Sequence, residues 1–179
     1  MNEQFTSGLM PSQQAMLALW QHHVYAEFVT KKVEDALDTM TEDTHVLHIP
    51  VLTGAFGKDN VRAFYSQSFI PQIPPDIEST LVSQTIGQDR LVEEAVYRFT
   101  HTIAMDWMLP GIAPTGKQVE VAVVGIIHFR DDKIASEHLY WDQASVLVQL
   151  GLLDAHTPAT TGVQSARKVL ELISPSTRE

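Results

Sequence analysis

Apolar residues first recur at helical spacing from Ser12, where Met16, Leu19, Trp20, Val24 and Phe28 form one stripe and predict a helix. A second, shorter period follows in Val33, Ala36, Leu37 and Met40, with Lys32, Glu34, Asp35 and Asp38 turned outward. The pattern then shortens to His45-Val46-Leu47-His48-Ile49-Pro50, a strand ended by proline. Gly54 and Gly57 predict a loop. Asp59 is placed to cap a third helix, in which Val61, Phe64, Tyr65 and Phe69 share a face. Pro71, Pro74 and Pro75 stop it.

The remainder reads as strand. Ile77 to Ile86 runs into a turn at Gly87-Gln88-Asp89. Leu91 to Ile103 then alternates, with Leu91, Ala95, Tyr97 and Phe99 on one side and Val92, Glu94 and Val96 on the other. Pro110-Gly111 and Pro114-Thr115-Gly116 mark a long connection. Val119 to Phe129 is rich in β-branched residues, Asp131-Asp132 fits a tight turn, and Lys133 to Trp141 is the last strand. Asp142 and Gly151 bracket a short apolar helix. Past Ala155, a Thr-rich linker precedes an amphipathic helix with Val163, Ala166, Leu170 and Ile173. Helices first and hairpin-joined strands afterwards predict an α+β fold, with helices gathered on one face of a curved sheet and an apolar pocket between them. The expected division is a flexible N-terminus (1–11), one domain (12–155) and a C-terminal extension with one helix (156–179).

Composition narrows the function classes. The chain has 179 residues and a formal net charge of −10, so electrostatic nucleic-acid binding is not expected. It has no cysteine, which removes disulfides, zinc-thiolate sites and thiol nucleophiles. Neither a leader-like start nor a membrane-length apolar run is seen, and a cytoplasmic location is the expectation.

The chemistry concentrates near the end of the last strand, where Glu137, His138 and Asp142 sit among Leu139, Tyr140 and Trp141. Acids and histidines in an apolar, aromatic setting can move protons without a cofactor. Asp142 has two readings, helix cap or general base, and both can hold together. His128 lies on the strand side of Val124 and Ile126, either facing a pocket or satisfied locally. Strand alternation groups His138 with Ser136, Tyr140 and Asp142, and Glu137 with Leu139 and Trp141. His138 and Tyr140 are expected toward the pocket, and Glu137 toward solvent or a dimer partner. His101 and Trp107 are candidates for the pocket rim, Trp20 and Tyr65 for its lid, and His48 for its wall. No fixed-spacing motif supports a metal, and no cofactor is expected.

These residues resemble a known family. Val33–Met40 with His48-Ile49-Pro50, Gly54 to Tyr65, and above all Ile126-Ile127-His128-Phe129-Arg130-Asp131-Asp132-Lys133-Ile134 through Trp141-Asp142 to Gly151 are similar to the SnoaL-like polyketide cyclases. These belong to the nuclear-transport-factor-2-like superfamily, and the likeness covers roughly residues 12–153. It implies a cone: a curved antiparallel or mixed sheet wrapped around N-terminal helices. It implies an acid/base enzyme, of lyase or isomerase class, acting on a small hydrophobic carbonyl compound by aldol closure. It places His128 and Asp142 as the acid/base pair and implies a homodimer. A non-catalytic ligand-binding or dimeric structural module on the same fold is the alternative. A hydrolase reading fails, because no Gly-x-Ser-x-Gly elbow and no cysteine occur.

Overall fold

A computed structural model of the chain describes residues 8–157 and 160–173, with side chains to residue 171. Helix α1 (Pro11–Tyr25) continues as one wider π-type turn (Ala26–Thr30), closed by Lys31 at φ 54°. A one-turn helix α2 (Val33–Leu37) leads into strand β1 (Met40–His48). The expected loop at Gly54 is instead a short strand, β2 (Thr53–Phe56), hairpinned on β1. Glycine is required there: at φ +135° a Cβ on residue 54 would lie 2.0 Å from the Val46 carbonyl oxygen. Helix α3 (Lys58–Phe64) begins after Gly57 rather than after Asp59, which lies in its first turn, and it too ends in a π-type turn (Tyr65–Phe69).

Four long strands follow: β3 (Glu78–Ile86), β4 (Arg90–Thr100), β5 (Gln118–Arg130) and β6 (Lys133–Trp141). The sheet order is β2-β1-β6-β5-β4-β3, antiparallel except where β1 runs parallel to β6. The β5–β6 turn uses positive φ at both Asp131 and Asp132, the conformation a two-residue hairpin requires. Helix α4 (Gln143–Leu150) follows, capped by Asp142 and ended by Gly151.

The two faces of the sheet differ. Along β5, residues Val119, Val121, Val123, Ile127 and Phe129 are buried and alternate with half-buried ones. The buried set packs with Leu17, Trp20, Leu37, Tyr65 and Phe69 from the helices. The last helix, α5 (Gln164–Ile173), contacts β3, β4 and β5. The side of β4 that carries Val92 and Val96 is unevenly covered, with Val96 only 3% exposed and Val92 39% exposed. Residues 1–7 of the expected N-terminal segment, and the side chain of Ile173, lie outside the described residues. No helix among the described residues is long and apolar enough to cross a membrane.

Candidate active site

A cavity opens between the concave face of the sheet and the helices, holding about 650 Å³ of empty space with its mouth counted. Both π-type turns supply its walls, Glu27 and Phe28 from the first and Tyr65 and Phe69 from the second. Such turns shift a helix's register locally and so re-aim its side chains. The sheet contributes Val46 and His48 from β1, Glu93, Ala95 and Tyr97 from β4, Val123 from β5, and Glu137, Leu139 and Trp141 from β6.

A buried cluster of titratable groups lies at this wall. His23 and Glu27 are one helical turn apart on α1 and its extension, and Glu137 reaches them from β6. The His23 ring is anchored from behind: its Nδ1 lies 2.7 Å from Thr39 Oγ1 and 3.2 Å from the Ala36 carbonyl. Thr39 donates its own proton to that carbonyl (2.6 Å), so Nδ1–H is the donor and Thr39 Oγ1 the acceptor. Nε2 therefore points forward, 3.0 Å from Glu137, 3.1 Å from Glu27 and 3.3 Å from the Tyr65 hydroxyl. Trp20 stacks on the ring at 5.7 Å between centroids.

Electrostatics follow from this packing. Burial alone would lower the pKa of His23, but the carboxylates of Glu137 and Glu27 outweigh it and hold the imidazole well above its ordinary range. Burial raises Glu137, against the pull of His23. Burial also raises the Tyr65 phenol well above its ordinary value, reinforced by Glu137 and Glu27, and this keeps it a proton donor. An imidazolium beside two carboxyls, one of them pushed toward its neutral form, leaves little net charge in a dry site. Nearby, Glu93 accepts hydrogen bonds from Trp20 Nε1 (3.2 Å) and Gln84 Nε2 (2.6 Å), yet burial still raises its pKa. Among the described residues, His23, Glu27 and Glu137 are also the group whose donor atoms lie close enough together, within 4.8 Å, to hold a metal ion.

Four of the expected pocket residues, Trp20, Tyr65, His48 and Trp107, line this cavity. Others stand elsewhere. His138 is on the opposite sheet face, its Nε2 2.9 Å from Nε2 of His45, and Tyr140 beside it is 38% exposed. This reverses the expected sides of β6: Glu137, Leu139 and Trp141 face the cavity, while His138 and Tyr140 face out. The apolar partners of Glu137 on its own face were the signal for the correct side. His101 is fully buried but not at the cavity, with Thr115 as its partner.

Asp142 and His128 are not brought together. His128 pairs across the β5–β6 ladder with Ser136, and Trp141 with Val123. The separation along β5 is therefore on the order of 17 Å. Asp142 is exposed, one carboxylate oxygen accepting from the Ser145 N–H (3.2 Å) and the other from the Ser145 hydroxyl. His128, on the outer face, has Nε2 3.5 Å from Asp89. Neither lines the cavity. His23 and Glu27 were absent from the sequence-based candidates, although the His-x-x-x-Glu spacing beside Trp20 was visible on the predicted helix.

Comparisons with known proteins agree with this architecture. No curated protein sequence matches the chain. Among solved structures, a candidate SnoaL-like polyketide cyclase of Jannaschia sp. CCS1 is 19% identical, with TM-score 0.61, over 80% of this chain and 96% of that one. TsrD from Streptomyces laurentii is 17% identical, with TM-score 0.63, over 80% and 100%. A protein of Catenulispora acidiphila with a ketosteroid isomerase-like fold, bound to trimethylamine, is 18% identical, with TM-score 0.58, over 78% and 97%. At these identities the likeness establishes the fold, that of the nuclear-transport-factor-2 and ketosteroid isomerase group. The model of the SnoaL-like polyketide cyclase family matches residues 20–150, from the stacked Trp20 through β6 to the end of α4, and the chain belongs to that family.

Proposed function

We propose that the chain is a cofactor-independent acid/base enzyme acting on a small hydrophobic carbonyl compound. The observation that carries this reading is the His23–Glu27–Glu137 cluster, buried at the wall of an aromatic cavity. Glu137, its pKa raised by burial, is a stronger base than a solvated carboxylate and is suited to take a proton from the carbon next to a carbonyl. The Tyr65 hydroxyl donates to the enolate oxygen that forms. His23 holds Glu137 in place by donating from Nε2, and Glu27 balances the imidazolium charge while Glu137 carries the proton. Aromatic walls exclude water and pre-fold the substrate, which lowers the entropy of ring closure. The acid/base role is thereby moved from Asp142 and His128 to groups that touch the cavity. A homodimer belongs to the same proposal and is tested by sedimentation.

The experiment is exchange of α-protons for deuterium on 2-tetralone, a hydrophobic enolisable ketone, followed by NMR in heavy water. Glu137→Gln is expected to lower the enzymatic rate by about 10²–10⁴-fold. Asp142→Asn is expected to change it less than about threefold, because its carboxylate is occupied in capping. The reverse order returns the chemistry to Asp142. Exchange no faster than buffer supports the alternative, a ligand-binding module. One observation favours that second reading: His23 Nε2 is already bonded within the cluster.

A further inference from the structure

His48 is buried among the rings of Phe64, Phe69, Trp107 and Trp141, with centroids 5.5–5.9 Å away, and it lines the cavity. Its hydrogen bonding determines which nitrogen carries the proton. Nδ1 lies 3.1 Å from Thr53 Oγ1. The single hydroxyl proton of Thr53 is committed to the Trp107 carbonyl at 2.5 Å, because a carbonyl can only accept. Thr53 Oγ1 therefore accepts, Nδ1 donates, and a neutral ring leaves Nε2 with a bare lone pair. Burial supports the neutral ring, lowering the pKa of His48 from 6.5 to about 3. Among the described residues Nε2 makes no hydrogen bond. An aromatic wall thus carries one directed acceptor with nothing to accept.

The charges around it narrow the ligand further. Among the described residues, the cavity lining includes Glu27, Glu93 and Glu137 and no lysine or arginine. An anionic ligand would meet carboxyl groups, and the cation at this wall, the His23 imidazolium, is already paired with Glu27 and Glu137. His48 also has a fixed relation to the proposed acid/base group. Val46 pairs with Glu137 and His48 with Leu139 on the parallel β1–β6 ladder, and all four residues line the cavity. His48 and Glu137 are therefore diagonal neighbours, separated by on the order of 7 Å.

We infer that His48 Nε2 accepts a hydrogen bond from a ligand hydroxyl, so that the cavity selects an uncharged aromatic phenol or enol and excludes carboxylates. The inference rests on the proposal that this cavity receives a small molecule. It makes His48 a positioning residue: holding the hydroxyl at one end of a fused ring sets which carbon of the ligand lies at Glu137.

Two measurements on the full chain test it. In ¹⁵N-histidine NMR at neutral pH, with His48 assigned by its loss in His48→Phe, Nε2 is expected to resonate as an unprotonated nitrogen. A protonated Nε2 overturns the inference whatever the cavity binds. Calorimetric titration with 2-naphthol, 2-methoxynaphthalene and 2-naphthoate then reads selectivity. The naphthol is expected to bind about tenfold tighter than its methyl ether, as one hydrogen bond allows. Its binding shifts the His48 Nε2 resonance, and the naphthoate is the weakest. His48→Phe is expected to remove the preference while the ether still binds, and Thr53→Val, which frees the tautomer, to reduce it. Equal affinity for naphthol and ether, or tight naphthoate binding, overturns the role of His48 and leaves the cavity proposal standing. Failure of all three ligands to bind overturns both.

Discussion

The two faces of strand β6 use similar residues to opposite ends. On the concave face Glu137 is walled in by His23, Tyr65 and aromatic rings, and burial raises its pKa. One residue on, His138 meets His45 on the outer face, and Tyr140 is 38% exposed. Within the covered side the partners decide the charge: His23 is held protonated by two carboxylates, whereas His48, buried among rings, is held neutral. Reactivity here is a property of the side of the sheet, since a strand sends neighbours to opposite faces and only one face excludes water.

Substitutions on the two faces sharpen this contrast, and the largest difference is expected at β6. Glu137→Ala leaves the His23 charge buried with one partner fewer and is expected to cost about 3–5 kcal/mol in urea denaturation. His138→Ala, on the outer face, should cost less than about 1 kcal/mol. Equal losses would break the distinction.

The buried histidines provide the next test, through pH. His48 is depressed from 6.5 to about 3, so the unfolded chain takes a proton that the folded protein refuses. Stability from this residue is lost as pH falls below 6.5, by about 2 kcal/mol at pH 5 relative to pH 7. His48→Phe should remove that slope. His23 is raised, so its contribution has the other sign: it is complete below the ordinary histidine value and is lost as pH rises through the folded-state value. Denaturation midpoints at pH 5, 6, 7 and 8 for wild type and His48→Phe read both trends.

Smaller effects are expected at the residues the family likeness first brought forward. Asp142→Ala removes a helix cap and should cost about 1 kcal/mol by thermal denaturation. His128→Ala, which loses only a half-exposed contact with Asp89, should fall within about 0.5 kcal/mol. A larger loss at His128 than at Asp142 would give the outer face an energetic role that its geometry does not show.

Much of the architecture was legible in the residue pattern, because it rests on local periodicities. The alternation in β4 grouped Leu91, Ala95, Tyr97 and Phe99 on one side, and Leu91, Ala95 and Phe99 are buried there. Asp131-Asp132 and Gly151 marked turns through their backbone requirements. The β2 strand was missed because glycine usually signals a loop, while here Gly54 permits close approach to the Val46 carbonyl. The site was harder to read. Its members come from elements far apart in the chain, the first helix with its extension and β6, and a strand's pattern separates two sides without naming the inner one when both carry ionisable and aromatic residues. On β6 that choice between Glu137 and His138 went the wrong way.

The sequence by itself determined the helices-then-strands order, the absence of thiol chemistry and the family, since these depend on composition, local spacing and motif. Only the tertiary structure decided that His23, Glu27 and Glu137 meet, that Asp142 is occupied as a cap, and that His48 lines the cavity with its Nδ1 bonded to Thr53. The physical reason is that ionisation and hydrogen-bond direction depend on three-dimensional neighbours and on exclusion of water, and residues distant in sequence supply both.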